Sequence, residues 1–143
     1  MLNNKRYSQK TIPKLGTEWD DKNQGELKKL AQDYYNDNFL GKSTTNQHKN
    51  IVVLFAKSGI RHVLNFGARE YIKFKAIKLL PQLIEYAEFK NFKKADDDDE
   101  KSILGYMNFE VKANIEGLIY KLRLVIRITN NGKFYYHHAK KMQ

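Results

Sequence analysis

Residues 117–140 read GLIYKLRLVIRITNNGKFYYHHAK, and the alternation of apolar and polar side chains in this stretch decides the fold class. The even-numbered positions from Leu118 to Ile128 are all apolar or aromatic. Basic residues stand between them, at Lys121, Arg123 and Arg127. A period of two is typical of a β-strand with one buried and one exposed side. The pair Asn131-Gly132 then predicts a two-residue hairpin turn, because both residues tolerate positive φ angles.

The position of this turn sets the register of the hairpin. It pairs Ile128 with Tyr135, Arg127 with Tyr136, Ile126 with His137, and Val125 with His138. The preceding strand, Ile103 to Ala113, pairs with the same strand through a turn at Glu116-Gly117. We therefore predict a basic face with three rows of cross-strand neighbours: Tyr106/Arg127/Tyr136, Asn108/Val125/His138 and Glu110/Arg123/Lys140. His138 falls on this face and His137 on the apolar one, and a slip of one residue would exchange them.

The basic face brings together the groups that metal-free RNA cleavage needs. This reaction requires a base for the 2′-hydroxyl proton, an acid for the leaving 5′-oxygen, and fixed cations for the phosphoryl oxygens. Glu110, His138 and the two arginines have the chemistry for these roles. The same residue types are also ordinary on a solvated sheet face, where Glu–Arg pairs imply no function. The residues alone leave both interpretations open.

A second group of polar residues follows the predicted strand Ile51 to Ala56. It reads Lys57-Ser58-Gly59-Ile60-Arg61-His62, and such a segment at a strand exit can meet a phosphate. His62 would then titrate near neutral pH. Alternatively, His62 is a buried or capping histidine at a junction between strand and helix. No glycine-rich phosphate loop ending in Lys-Ser or Lys-Thr is present, so nucleoside triphosphate binding is not predicted.

Composition favours an anionic partner and excludes several classes of site. The 143 residues carry a formal net charge of +10, which suits nucleic acid or an acidic protein, although lysines also simply maintain solubility. There is no cysteine, so disulfides and thiolate metal sites are excluded, and we predict neither a metal nor a cofactor. No apolar run is long enough to span a membrane. We therefore expect a soluble chain that acts in the cytoplasm or is delivered into a target cell within a larger protein.

The remaining sequence predicts one domain with an N-terminal extension. Residues 1–17 are polar and basic and predict a flexible arm, and residues 18–143 predict a single α+β domain. One helix is expected from Asp20 or Asp21 to Gly41, and a second from Arg69 to Glu88 with a break at Pro81. Further predictions are a loop over Ser43–Asn50, a short strand over Phe89–Phe92, a mobile acidic loop over Asp96–Glu100, and solvated side chains at His48, Lys73, Lys75 and Lys78.

Four short motifs occur in the order seen in a domain of phages and mobile elements. They are Leu40-Gly41-Lys42-Ser43, FAKSGIRH from Phe55 to His62, IKLLPQLIEYA from Ile77 to Ala87, and NGKFYYHH from Asn131 to His138. Over about Trp19 to Lys140, the chain resembles the large polyvalent-protein-associated domains that are grouped with the barnase, EndoU, colicin and RelE-like nucleases. The resemblance implies helices on one side of a small antiparallel sheet and RNA chemistry on the other. It also implies that His62 and His138 are site histidines, whereas His137 departs from the acidic residue expected before the last histidine.

We therefore predict a metal-independent endoribonuclease that yields a cyclic phosphate, as a toxin or effector domain of a phage or mobile element. In this prediction His138 is the general acid and Glu110 or His62 the general base. The substrate would be held by Arg123 and Arg127 as phosphate clamps, Tyr136 or Tyr106 against a base, and Lys57, Arg61, Lys121 and Lys140. The partners would be RNA, with tRNA and mRNA both open, and an acidic inhibitor protein if the domain is a toxin. The alternative is a non-catalytic module that binds nucleic acid or an acidic protein with the same face.

Overall fold

The computed structural model describes residues 7–15, 24–59 and 75–142, and it has an α+β fold. Two helices, one short 3₁₀ turn and seven strands are defined in this part of the chain. In chain order they are β1 (Lys14–Leu15), α1 (Gln24–Asn38), β2 (Ser43–Asn46), β3 (Ile51–Leu54), the 3₁₀ turn (Ile77–Leu79), α2 (Leu80–Tyr86), β4 (Glu88–Lys94), β5 (Ile103–Ile115), β6 (Leu118–Thr129) and β7 (Phe134–Lys141).

The strands form one mixed sheet in the order β1-β5-β6-β7-β3-β2, with β4 also pairing with β5. Four pairings are antiparallel, but β1 runs parallel to β5 and β3 runs parallel to β7. The prediction of an α+β fold is confirmed, whereas the prediction of an antiparallel sheet is wrong. The reason is that parallel neighbours need a long crossover, and here the chain passes through α2 and β4–β6 between β3 and β7.

The predicted register of β5 against β6 is confirmed at every row. Tyr106 pairs with Arg127, Asn108 with Val125, and Glu110 with Arg123. The turn at Glu116 and Gly117 has φ angles of 57° and 88°, so both residues occupy the left-handed region that a tight hairpin turn requires. Alternation of buried and exposed side chains is therefore sufficient to register these two long strands.

The register of β6 against β7 is confirmed only beyond the middle of the hairpin. The turn has three residues instead of two, because the Thr129 amide donates to the Lys133 carbonyl across it at 2.9 Å. Arg127 consequently pairs with Tyr135, and Ile126 with Tyr136, one residue away from the predicted partners. A bulge at His137 then restores the predicted pairs, which are Val125/His138 and Arg123/Lys140.

One hydrophobic core joins the helices to the sheet. The buried side of α1 is formed by Leu27, Ala31 and Tyr35. Phe39, directly after the helix, is also buried, whereas Leu40 is exposed. The Tyr35 hydroxyl donates to the Ala56 carbonyl at 2.6 Å, which fixes α1 to the exit of β3. The predicted start of this helix, Asp20 or Asp21, lies outside the described residues.

The strand β2 replaces half of the predicted loop over Ser43–Asn50. Its sequence, STTN, lacks apolar alternation, and it is a strand because it pairs with β3 and packs near α2. The buried Asn46 amide donates to the carbonyls of Ile84 and Ala87 at 2.7 and 2.9 Å. These contacts are distant in sequence, so local pattern carries no signal for them.

The predictions for the second helix and its neighbours are confirmed at Pro81 and at β4, but not at Lys75. Pro81 lies in the first turn of α2, directly after the 3₁₀ turn, so the predicted break is confirmed. Lys75, however, is not solvated, because its side chain is buried and forms an ion pair with Glu116. Lys78 is half-buried, with its ammonium 5.6 Å from the centre of the Tyr34 ring. The strand predicted at Phe89–Phe92 is confirmed as β4.

Part of the predicted arm lies along the outer edge of β5. The Gln9 side chain accepts from the Lys112 amide at 2.8 Å and donates to the Lys112 carbonyl at 2.9 Å. Farther on, the Asn114 amide donates to the Pro13 carbonyl at 2.8 Å. Residues 9–15, called the edge segment below, thus lie along the part of β5 that follows Glu110, where β4 no longer pairs with it.

Candidate nucleic-acid interface

The face of the sheet opposite the core carries a shallow groove of about 330 Å³ across β4, β5, β6 and β7. Period-two alternation places its side chains here, because their neighbours along each strand face the core. Most of the lining is cationic or aromatic. It includes Lys93, Tyr106, Arg123, His137, His138 and Lys140. We call this cavity the histidine groove.

Both consecutive histidines line the groove, which sequence reasoning did not anticipate. The ring centroids of His137 and His138 are 5.1 Å apart, and the His137 ring is also 5.1 Å from the Tyr106 ring. A bulge sets two residues against one on the neighbouring strand, so the strict alternation of faces fails there. The predicted position of His138 is confirmed. The placement of His137 on the apolar face is wrong.

Two arginines on β6 supply fixed positive charge beside the histidines. Arg123 lines the groove, and Arg127 lies four residues farther along β6, toward the turn of the hairpin. Arg127 Nη2 donates to Ser58 Oγ at 3.4 Å, and its guanidinium is 5.4 Å from the centre of the Tyr135 ring. Its Nε is buried without a hydrogen-bond partner among the described residues. Because guanidinium groups have five donors, Arg127 retains capacity to donate to an anion.

Glu110 occupies the predicted rung but faces a different cavity. It is the cross-strand partner of Arg123, as predicted. Its Oε1, however, is 2.9 Å from Lys121 Nζ, and its side chain is only 18% exposed. The carboxylate lines a neighbouring groove together with Lys121. The structure therefore separates Glu110 from the histidine groove, whereas Lys140 lies in it.

The two tyrosines predicted for the basic face have different positions. Tyr106 is half-buried in the groove, and its hydroxyl donates to Asp99 Oδ1 at 2.9 Å. Burial, followed by this hydrogen bond, raises the pKa of the Tyr106 phenol. Tyr136 is 1% exposed and packs beside Tyr35 and Phe55 in the core, so the prediction that it contacts RNA is wrong. The cause is the three-residue turn, which moves Tyr136 to the core side opposite Ile126.

The segment after β3 reaches the edge of this face through one described contact. Ser58 receives the hydrogen bond from Arg127, and Lys57 beside it is exposed. Arg61 and His62 lie outside the described residues. Ser58 is thus the described residue through which this segment contacts the hairpin.

The profile of one protein family matches the chain over residues 22–136, which includes most of the sheet and both described helices. Its description is Large polyvalent protein-associated domain 3. This chain belongs to that family. The resemblance inferred from the four motifs is confirmed for the polyvalent-protein-associated domain. Comparisons with curated proteins and with solved structures give no significant match.

In this polyvalent protein-associated domain, sequence reasoning missed Lys93 as well as His137. Lys93 enters the histidine groove from β4, opposite Tyr106. The strand β4 was predicted, but its register against β5 was not. A bulge between Phe89 and Asn91 shifts this register by one residue. The groove is thus wider by one strand than the three-stranded surface expected from the sequence.

Two negative findings apply to the part of the chain that the structure describes. Within residues 7–15, 24–59 and 75–142, no three His, Asp or Glu side chains are grouped as metal ligands. In the same ranges, neither helix is long and apolar enough to cross a membrane.

Proposed function

We propose that this domain is an endoribonuclease that cleaves single-stranded RNA in the histidine groove by metal-independent transesterification. The observation that carries the proposal is the pair of adjacent imidazoles, His137 and His138, on a surface lined by Arg123, Lys93 and Lys140. Imidazole is the side chain best suited to move protons near neutral pH, and fixed cations stabilise the charge that gathers on a phosphoryl group.

Each step of the reaction has a group on this face. One histidine takes the proton from the 2′-hydroxyl, the 2′-oxygen bonds to phosphorus, and the bond from phosphorus to the 5′-oxygen breaks. The second histidine donates a proton to the leaving 5′-oxygen. In our assignment His138 is this acid and His137 is the base, with Glu110 and His62 as the other candidate bases from the sequence. Arg123 and Arg127 hold the phosphoryl oxygens.

The arrangement of the fold supports a place among the barnase, EndoU, colicin and RelE-like nucleases. The helices and the core occupy one side of the sheet, and the candidate chemistry occupies the other, as the resemblance implied. Tyr106 gives the groove an aromatic surface, and unpaired bases commonly stack on aromatic side chains. Under this proposal, the domain acts as a toxin or effector of a phage or mobile element, and an acidic inhibitor would cover the same face.

Incubation of the protein with total RNA in the presence of EDTA tests the proposal. We expect the wild type to release fragments ending in a cyclic phosphate, and His138→Ala to lose at least about a hundredfold in rate, since general acid catalysis contributes ~10²–10⁴-fold. Lys28→Ala, on the exposed surface of α1, is the control for preparation and net charge. Absence of cleavage by the wild type, or equal rates for wild type and His138→Ala, would contradict the proposal.

A second candidate function is binding without catalysis. It is favoured by the observation that Glu110 and Tyr106 already have partners, Lys121 and Asp99, as expected of a surface that only presents charge. A binding module would show strong salt dependence in RNA affinity but no cleavage, because phosphate contacts release counterions in either case. The EDTA experiment therefore separates the two candidates, and a salt titration alone does not.

A further inference from the structure

A second groove, of about 380 Å³, lies beside the histidine groove on the same side of the sheet. It forms where β4 and the edge segment both begin, so its walls are the edge segment on one side and β4, β5 and β6 on the other. Its charged lining residues are Glu88, Lys90, Glu110, Lys112 and Lys121. We call it the edge groove.

Two neighbouring cross-strand pairs on the groove side of the sheet have like charges. Glu88 is the cross-strand partner of Glu110, and Lys112 is the cross-strand partner of Lys121. Like charges directly opposite one another destabilise a sheet, and side chains in this relation are only ~4.5–5.5 Å apart at Cβ. Departures from such local rules are expected at functional sites.

The sheet relieves this repulsion only in part. Lys90 Nζ is 2.8 Å from Glu88 Oε1, and Lys121 Nζ is 2.9 Å from Glu110 Oε1. Lys112, which is exposed, has no carboxylate partner among the described residues. An incoming ligand with both an anion and hydrogen-bond donors would satisfy Lys112 and use the remaining lone pairs of the carboxylates.

We propose that the edge groove is a second nucleotide subsite, which binds a phosphate at Lys112 and the exocyclic amino group of a base at Glu88, the more exposed of the two carboxylates. The two grooves are adjacent, because Glu110 in the edge groove is the cross-strand partner of Arg123 in the histidine groove. A single RNA strand passing through both would place a flanking nucleotide here. This inference rests on the proposed function, since the strand must first occupy the histidine groove.

The carboxylates make the subsite selective for bases with amino groups. Carboxylates accept hydrogen bonds from the N4 amino group of cytosine, whereas uracil carries a carbonyl oxygen at the same position. Cytosine and uracil have the same ring size and differ at position 4 and at N3, which is an acceptor in cytosine and a donor in uracil. A net gain of about 1 kcal/mol for one such bond corresponds to about fivefold in affinity.

Equilibrium binding of 2′-O-methyl oligonucleotides tests the subsite without cleavage, because the 2′-oxygen is blocked. Fluorescence anisotropy would compare oligocytidine with oligouridine of equal length for the wild type and three variants. We expect the wild type to bind oligocytidine about fivefold more tightly. Glu88→Ala should lose the preference, since it removes the acceptor, and should bind oligouridine more tightly, since it removes one negative charge. Lys112→Ala should bind both more weakly and keep the preference.

Lys28→Ala is the matched control for loss of a lysine, because it lies on α1 on the other side of the sheet. The inference is overturned if the wild type binds both strands equally, if Glu88→Ala keeps the preference, or if Lys112→Ala binds as tightly as Lys28→Ala. Failure of the endoribonuclease proposal would appear in the EDTA assay while leaving these affinities unchanged. Failure of the subsite would appear here while cleavage persists.

Discussion

His48 shows how a residue outside both grooves links the fold to pH. Its Nδ1 accepts a hydrogen bond from the Phe89 amide at 2.8 Å, and its ring stacks on Tyr7 with centroids 4.3 Å apart. The prediction of a solvated loop histidine is therefore wrong. Burial, followed by the charge of Lys49, lowers the pKa of His48 below its ordinary value of 6.5. Protonation also removes the acceptor that Phe89 uses.

We expect His48 to reduce the stability of the fold in acid. The unfolded chain binds the proton more readily than the folded chain, so stability is complete above about pH 6.5 and falls as the pH drops toward the lowered pKa. Below that pKa, the contribution of His48 is constant. Thermal unfolding at pH 7.5 and 5.5 should therefore show a larger fall in Tm for wild type than for His48→Asn, whose side-chain oxygen can still accept from Phe89. The other three histidines are present in both proteins, and equal falls in Tm would contradict this role.

The bulge at His137 is the element that shapes the histidine groove. Without it, Tyr136 and His138 could not occupy opposite faces while Ile126 and Val125 remain consecutive partners. Because the bulged residue is the extra one, its removal leaves the pairs on either side unchanged. Tyr136 is therefore held in the core, whereas the bulged residue His137 lies on the surface, where it can take part in chemistry without disturbing the strand pairing.

Deletion of His137 should accordingly be tolerated by the fold. We expect the deletion variant to keep its circular dichroism spectrum and cooperative unfolding, with Tyr136 buried and His138 still opposite Val125. The matched control is deletion of Tyr135, which pairs with Arg127 in the regular ladder. That deletion moves neighbouring residues to the opposite face, so it should unfold the hairpin. Equal loss of stability in the two variants would show that His137 is not the extra residue of the strand.

The hairpin also shows what a sequence can and cannot specify. Alternation predicts β5 against β6 correctly because one face of each strand is buried and only one register satisfies both. The predicted pairing of β6 with β7 is wrong near Asn131-Gly132, because two-residue and three-residue turns contain the same residue types. The bulge and the strand β2 depend on partners distant in sequence. The ion pair between Glu110 and Lys121 is a diagonal contact, and a prediction of directly opposite pairs does not include it.

At the scale of the molecule, charge is separated from the core by the sheet itself. The helices bury one face, and the two grooves occupy the other with Arg123, Lys140, Lys112 and the histidines. The acidic segment Asp96–Glu100 adjoins the far end of the histidine groove, where Asp99 holds Tyr106. Under the proposed function, an RNA strand would be attracted along the grooves and repelled at that end, which would direct it toward the edge groove.

The edge segment completes the sheet, and hydrogen exchange can test this directly. The amides of Lys112, Asn114 and Glu116 donate to Gln9 Oε1, the Pro13 carbonyl and the Leu15 carbonyl at 2.8, 2.8 and 2.9 Å. An open strand edge would leave these groups to pair with other chains.

We expect all three amides to exchange slowly in the full chain, measured residue by residue by NMR. Gln9→Ala should speed exchange at Lys112 by about fivefold or more, the effect of losing a bond of about 1 kcal/mol, and leave Asn114 and Glu116 slow. If all three amides exchange rapidly in the wild type, the segment is the flexible arm that its sequence predicts, and the edge groove lacks a fixed wall.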